Sequence, residues 1–182
     1  MFKSETASHL LVTFVYFLII SVFRWQLDFG LVWIWAGALL GVFLLDLDHL
    51  IYWFYAHPEA EDSRYAKILA RTGNYKGLYS LLVRYHQTHN RLIFHSAVFQ
   101  IILIVLSFYV LTAGGSLLGS ALVLSMNLHL LKDVWFDFIK NRKDELTDWL
   151  FWQIRGVAAV NYLNIYLVAV TVVFLLLTTL IF

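Results

Sequence analysis

The sequence of 182 residues contains no cysteine, one proline and nine glycines. The absence of cysteine excludes thiolate metal ligands and cysteine nucleophiles, and the low proline and glycine content excludes collagen-like and disordered classes. Charged residues are also scarce, at 14%, against about 25% in an average globular protein. The formal net charge is only +1, so no overall field attracts nucleic acid and no nucleic-acid partner is indicated.

Apolar residues are abundant instead. Hydrophobic residues make up 61% of the chain and aromatic residues 18%, whereas an average soluble protein is about 45–50% apolar. Five apolar runs cover approximately residues 10–27, 31–55, 92–113, 117–139 and 157–182, and about 20 apolar residues suffice for a helix to cross a bilayer. The sequence therefore predicts an all-α integral membrane protein, with about five transmembrane helices in a single domain over residues 1–182.

The longest polar stretch, approximately residues 57–91, lies between the second and third runs. In it, apolar residues such as Ile68, Leu69, Leu81 and Leu82 recur at helical spacing between basic residues. This pattern is typical of short amphipathic helices at a membrane surface. We therefore predict an interfacial segment here.

The distribution of basic residues predicts the orientation. With five spans, the N-terminus and the two long loops fall on one side of the membrane, which then holds eleven of the 13 lysines and arginines. Those residues are Lys3, Arg64, Lys67, Arg71, Lys76, Arg84, Arg91, Lys140, Arg142, Lys143 and Arg155. The positive-inside rule then predicts a multi-pass protein of the inner (plasma) membrane, with a cytoplasmic N-terminus and an outer C-terminus.

Histidines and aspartates lie within or beside the apolar runs. They are His9 at the first run, Asp46, Asp48 and His49 at the end of the second, His86, His89 and His95 at the start of the third, and His129 and Asp133 in the fourth. Under the predicted topology, all of them lie in the inner half of the membrane or at its inner surface. Since ionisable groups are costly there, this convergence indicates a functional site.

These residues have the chemistry of a divalent-metal site. Side chains three or four positions apart share a face of a helix, as His129 and Asp133 do. Imidazole and carboxylate ligands suit zinc, with manganese or iron as alternatives. An aspartate at the centre of a span costs about 2.5–3.5 kcal/mol on insertion scales, and bound metal would offset that cost. We therefore predict that all nine residues are candidate metal ligands.

Asp48 and Arg91 are the candidate catalytic residues. Asp48 has three open roles: metal ligand, orienter of a histidine, or general base. Arg91 would hold a phosphate oxygen. Bridging carboxylates would allow two metals a few ångström apart, the arrangement used in phosphoester hydrolysis. The sequence thus predicts a membrane-bound metal-dependent hydrolase that acts on a phosphoester or lipid-like substrate at the inner leaflet.

Four short motifs resemble those of the YdjM-like family. They are Ser8-His9-Leu10-Leu11, Leu45-Asp46-Leu47-Asp48-His49, Arg91 through His95-Ser96, and His129-Leu130-Leu131-Lys132-Asp133. The resemblance covers the first four spans and implies an inner-membrane, metal-dependent hydrolase. Some members of the YdjM-like family are described as LexA-regulated or LexA-binding. The family is distantly similar to zinc-dependent phospholipase C and P1-type nucleases. That similarity implies one to three zinc ions and a phosphodiester-type substrate.

The chain departs from the family pattern near the third span. Asn90 stands where the pattern has a histidine, Phe94 replaces a threonine, and Leu45 replaces a proline. Either His89 or His86 would then supply the missing ligand, or the site is altered.

Two other functions compete with the hydrolase. A non-catalytic membrane anchor or assembly partner would retain a degenerate metal site. An ion transporter would also use intramembrane aspartates and histidines, but it needs polar groups across the full membrane thickness, whereas here they are confined to the inner half. The sequence does not distinguish oligomeric states.

Overall fold

The computed structural model describes residues 2–25, 28–85, 89, 91–154 and 159–182, without the side chains of residues 2–5, 83 and 159. Within these ranges the chain is helical and has no β-strand, which confirms the all-α prediction. The helices are α1 (Phe2–Arg24), α2 (Gly30–Leu44), α3 (Leu47–Ile51), α4 (Glu61–Arg71), α5 (Tyr75–Tyr85), α6 (Ala97–Thr112), α7 (Leu117–Ile139), α8 (Lys143–Leu150) and α9 (Ala159–Thr179). A π-helical turn, Tyr52–Ala56, follows α3.

In the described part of the chain, four helical segments are long and apolar enough to cross a membrane. They are Thr6–Arg24, Gly30–Ala56, Leu117–Ile139 and Val160–Thr179. The third predicted span corresponds to the shorter apolar helix α6. It begins at Ala97 because Ser96 caps it, the Ser96 Oγ accepting a hydrogen bond from the Phe99 N–H at 3.2 Å. The residues before the cap, including His95, are therefore outside the helix.

Helices α2 and α7 pack at very close range. A Cβ atom added at Gly37 would lie 2.2 Å from the Leu118 carbonyl oxygen, and one added at Gly41 would lie 2.6 Å from the Ser125 Cβ. The Ser125 hydroxyl also donates a hydrogen bond to the Ala38 carbonyl at 2.7 Å. Small residues permit such approach between membrane helices. This packing holds the end of α2 beside the C-terminal half of α7.

The close contact makes Gly37 sensitive to a single methyl group. Gly37→Ala should destabilise the protein by about 3 kcal/mol or more, at the upper end of overpacking costs, because the added Cβ meets backbone rather than a movable side chain. Thermal unfolding in detergent measures the effect. Gly115→Ala is the matched control, since no atom lies within 4 Å of the position that its methyl group would occupy. Equal melting temperatures for both variants would contradict the close packing.

The second apolar segment is interrupted where its polar residues begin. Helix α2 ends at Leu44, and α3 starts after a turn at residues 45–46. The π-helical turn that follows buries Trp53 completely against a cluster with Ala66, Leu69 and Leu81 of helices α4 and α5. Of the apolar residues named for the polar stretch, Leu69 and Leu81 thus pack on the end of the second segment, whereas Ile68 is 56% exposed. Such π-helical turns are frequent at functional sites.

Candidate metal centre

The structure gathers the histidines and aspartates at one end of the helical bundle. His9 lies near the start of α1, His95 lies just before α6, and His129 and Asp133 lie in the C-terminal half of α7. Asp46 occupies the turn between α2 and α3. Asp46 and Asp133 are partly exposed, whereas His9, His95 and His129 are at most 6% exposed.

One potential ligand group consists of His9, His129 and Asp133. The His9 Nε2 lies 3.0 Å from the Asp133 Oδ1, and the His129 Nε2 lies 3.3 Å from the Asp133 Oδ2. The two imidazole rings stack with their centroids 3.8 Å apart. One ligand atom from each residue lies within 4.8 Å of the others, which is close enough for a single ion.

A second group consists of Asp46, His95 and His129, and it obeys the same 4.8 Å limit. The Asp46 Oδ1 lies 3.9 Å from the His129 Nε2, and the His95 and His129 ring centroids are 5.8 Å apart. Because His129 belongs to both groups, the two potential sites are neighbours. The arrangement can hold one ion with alternative ligands or two ions side by side.

The tautomer of His129 favours a cation at this position. Its Nδ1 lies 2.9 Å from the Val42 carbonyl oxygen, which only accepts, so Nδ1 carries the proton and neutral His129 has a lone pair on Nε2. The His129 Nε2 and the Asp133 Oδ2 are both buried without a hydrogen-bond partner among the described residues. With His129 neutral, two electron pairs face each other across 3.3 Å, and a divalent cation would satisfy both. The donor set therefore fits a metal ion.

Lys132 is a member of the site that the sequence analysis did not count among the candidate site residues, although its position next to Asp133 allows an ion pair between the two. Its Nζ lies 2.9 Å from the His9 Nε2 and 3.3 Å from the Asp133 Oδ1. The available signal was its position inside an apolar span, where a lysine is rarely tolerated without a partner. In the structure it brings one positive charge to the first ligand group.

Asp48 holds the segment that carries His95. Its Oδ2 accepts hydrogen bonds from the backbone N–H groups of Phe94 at 2.5 Å and of His95 at 3.3 Å, and it lies 3.5 Å from the His95 Nδ1. The carboxylate is 1% exposed. Of the three predicted roles for Asp48, these contacts support the orientation of a histidine.

His49 and His89 form a second layer with Asp62. The two Nδ1 atoms are 2.8 Å apart, and the His89 Nε2 lies 2.7 Å from the Asp62 Oδ2. The Trp53 indole N–H donates to the same carboxylate oxygen at 2.6 Å. Burial raises the pKa of Asp62, but the hydrogen bonds from His89 and Trp53 outweigh it and lower the pKa below its ordinary value. The sequence analysis did not single out Asp62, since nothing in the local pattern distinguishes it from Glu61.

Two candidates from the sequence analysis, His86 and Arg91, remain. His86 and Asn90 lie outside the described residues, so the predicted role of His86 stays a prediction. Arg91 is exposed, and its role in holding phosphate also stays a prediction.

An apolar pocket of about 450 Å³ is lined partly by sequence neighbours of several site residues. Its walls include Leu47, which lies between two of the site aspartates, Phe94, which precedes His95, and Met126, which lies three positions before His129. Phe54 and Tyr55 of the π-helical turn complete one side. The volume falls within the range of about 300–1,000 Å³ that is usual for small-molecule sites. Three of the segments that carry site residues therefore also line a space for apolar groups.

Comparison of the chain with known proteins gives no match at any of three levels. No protein-family model matches it, and neither a curated protein nor a solved structure matches it. The fold and the side-chain geometry described above therefore carry the functional interpretation.

Proposed function

We propose that this protein is a membrane-embedded, metal-dependent hydrolase that acts on a phosphoester of a lipid or lipid-like molecule. The observation that carries this proposal is the convergence of His9, Asp46, His95, His129 and Asp133 into two adjoining ligand groups between apolar helices. A purely structural pairing would not require one histidine to serve two groups. The same five residues are candidate ligands in the sequence analysis.

Zinc is the proposed metal, since imidazole and carboxylate ligands suit it. When bound, it would supply Lewis acidity toward a phosphoryl oxygen and toward the attacking water. The chain's own residues prepare the centre: the Val42 carbonyl fixes the tautomer of His129, and Asp48 holds the backbone of His95. Lys132 places a positive charge beside His9 and Asp133, and such a charge would attract an anionic substrate group.

The pocket supports a lipid-like substrate. Its walls are apolar side chains, and they share segments with the ligand groups. An acyl chain in the pocket would therefore contact segments that also carry the proposed metal ligands. With the predicted topology, the substrate would come from the inner leaflet of the inner membrane, and the bilayer itself would be the protein's principal partner.

Hydrolysis of two probes tests this function. Purified protein in lipid nanodiscs is supplied with zinc and offered phosphatidylglycerol or the soluble ester bis-p-nitrophenyl phosphate. We expect metal-dependent cleavage, faster for the lipid, and a loss of about 100-fold or more in Asp46→Asn, because several kcal/mol of transition-state stabilisation depend on the metal. Equal rates for wild type and Asp46→Asn on both probes would refute the proposal.

The YdjM-like resemblance implies the same reaction class, and it stays a prediction. The phosphodiester-type substrate that the resemblance implies agrees with the proposal. Cleavage of the soluble ester alone would favour a phosphodiesterase without lipid specificity.

A further inference from the structure

A hydrogen-bonded chain runs from helix α4 to the metal centre. It consists of Asp62, His89 and His49, which are 8%, 6% and 0% exposed. The contacts between successive side chains measure 2.7 Å and 2.8 Å. His49 belongs to neither ligand group, but its ring centroid lies 6.0 Å from that of His95, a member of the second group. The chain thus links a residue outside the membrane-spanning segments to the edge of the centre.

With both imidazoles neutral, the proton positions along this chain follow from its acidic end. The Asp62 carboxylate only accepts, so the His89 Nε2 carries a proton and donates it. Neutral His89 then has its lone pair on Nδ1, which accepts from the Nδ1–H of His49. Neutral His49 in turn keeps its lone pair on Nε2. Asp62 therefore determines which nitrogen of His49 is available as a ligand.

We propose that Asp62 and His89 are positioning residues that hold His49 in the tautomer and orientation needed for metal binding through its Nε2. This inference rests on the proposed metal centre. It adds that Asp62, a residue of α4, helps to hold one of the ligands of that centre. Carboxylate–histidine–metal arrangements are common in proteins, and here a second imidazole extends the arrangement by one step. In this arrangement His89 links the Asp62 carboxylate to the His49 imidazole.

The surroundings of the chain restrict its movement. The Tyr52 ring stacks on His89 at 3.8 Å, and the Trp53 N–H donates to Asp62 at 2.6 Å. Both aromatic residues come from the π-helical turn, which begins three positions after His49. The turn therefore packs the bridge in place from the same segment that carries the proposed ligand.

Cobalt binding tests the positioning role. Metal-free protein in detergent is titrated with Co²⁺, and both the affinity and the visible spectrum are recorded. We expect Asp62→Asn and His89→Leu to weaken binding by about 10–100-fold, the usual effect of removing such a partner. We expect His89→Gln to recover most of the loss, because its amide oxygen can accept from His49 while its amide nitrogen donates to Asp62.

A control variant separates the loss of Asp62 from a general loss of negative charge at the start of α4. Glu61→Gln neutralises the neighbouring exposed carboxylate. This variant should bind Co²⁺ within about 3-fold of wild type, below the effect of losing a partner in the chain. A second readout needs no metal: in ¹⁵N-histidine spectra of the metal-free protein, His49 should show one tautomer in wild type and a mixture in Asp62→Asn.

The outcomes distinguish this inference from the proposed function. Wild type that fails to bind Co²⁺ or Zn²⁺ would refute the metal centre, while the tautomer measurement would still test the chain of hydrogen bonds. Wild-type binding that is unchanged in Asp62→Asn and His89→Leu would overturn the positioning role alone. Equal losses of Co²⁺ affinity in His89→Gln and His89→Leu would identify His89 as a direct metal ligand. That result would also overturn the positioning role.

Discussion

His129→Ala is expected to remove nearly all metal from the purified protein. His129 belongs to both ligand groups, so its loss leaves each group with only two members. Its Nε2 also lies close to carboxylate oxygens of Asp46 and Asp133, at 3.9 Å and 3.3 Å. Elemental analysis after purification without chelator should find at least one divalent ion per wild-type chain and a small fraction of that in the variant.

His57→Ala is the control for nonspecific binding by histidine. The His57 ring packs on Tyr52, with centroids 4.5 Å apart, and His57 belongs to neither ligand group. The metal content of this variant should equal that of wild type. Wild-type protein with far less than one ion per chain would contradict the metal centre, as would full occupancy in His129→Ala.

The general position of the centre could be predicted from the sequence because burying ionisable groups in a membrane is costly. Aspartates and histidines in apolar runs need partners, and the alternation of spans brings His9, Asp46 and His129 to the same end of the bundle. The helical class followed equally well from the apolar runs. These inferences depend only on residue chemistry and on the length of each run.

The second layer was not predictable in the same way. Asp62 lies 27 positions before His89 in the sequence, and a first-turn aspartate in an amphipathic helix ordinarily faces solvent. Its role depends on how α4 packs on Trp53. The sequence also left open whether the second apolar run ends at Leu45 or continues to Tyr55, since only its site residues interrupt it. Packing between distant segments decided both features.

Removal of metal by a chelator is expected to lower the stability of the folded protein. Without a cation, the carboxylates of Asp46 and Asp133 face the lone pair of His129, and Lys132 provides the nearby positive charge. A ligand present at 1,000 times its dissociation constant stabilises the folded state by about 4 kcal/mol. For a chain of this size, the loss of that stabilisation corresponds to a decrease of about 8–16 °C in the melting temperature.

The measurement is thermal unfolding in detergent with and without a chelator, followed by re-addition of zinc. Wild type should lose stability on chelation and regain it with zinc, whereas His129→Ala should unfold at the same temperature in all three conditions. The comparison isolates the metal because the chelator's effects on detergent and on other surfaces are common to both proteins. A wild-type melting temperature that is insensitive to chelator, in protein shown to be metal-free afterwards, would mean that Lys132 compensates the buried carboxylates without a metal ion. The cluster would then be an ion-pair network, and the non-catalytic membrane anchor would become the better interpretation.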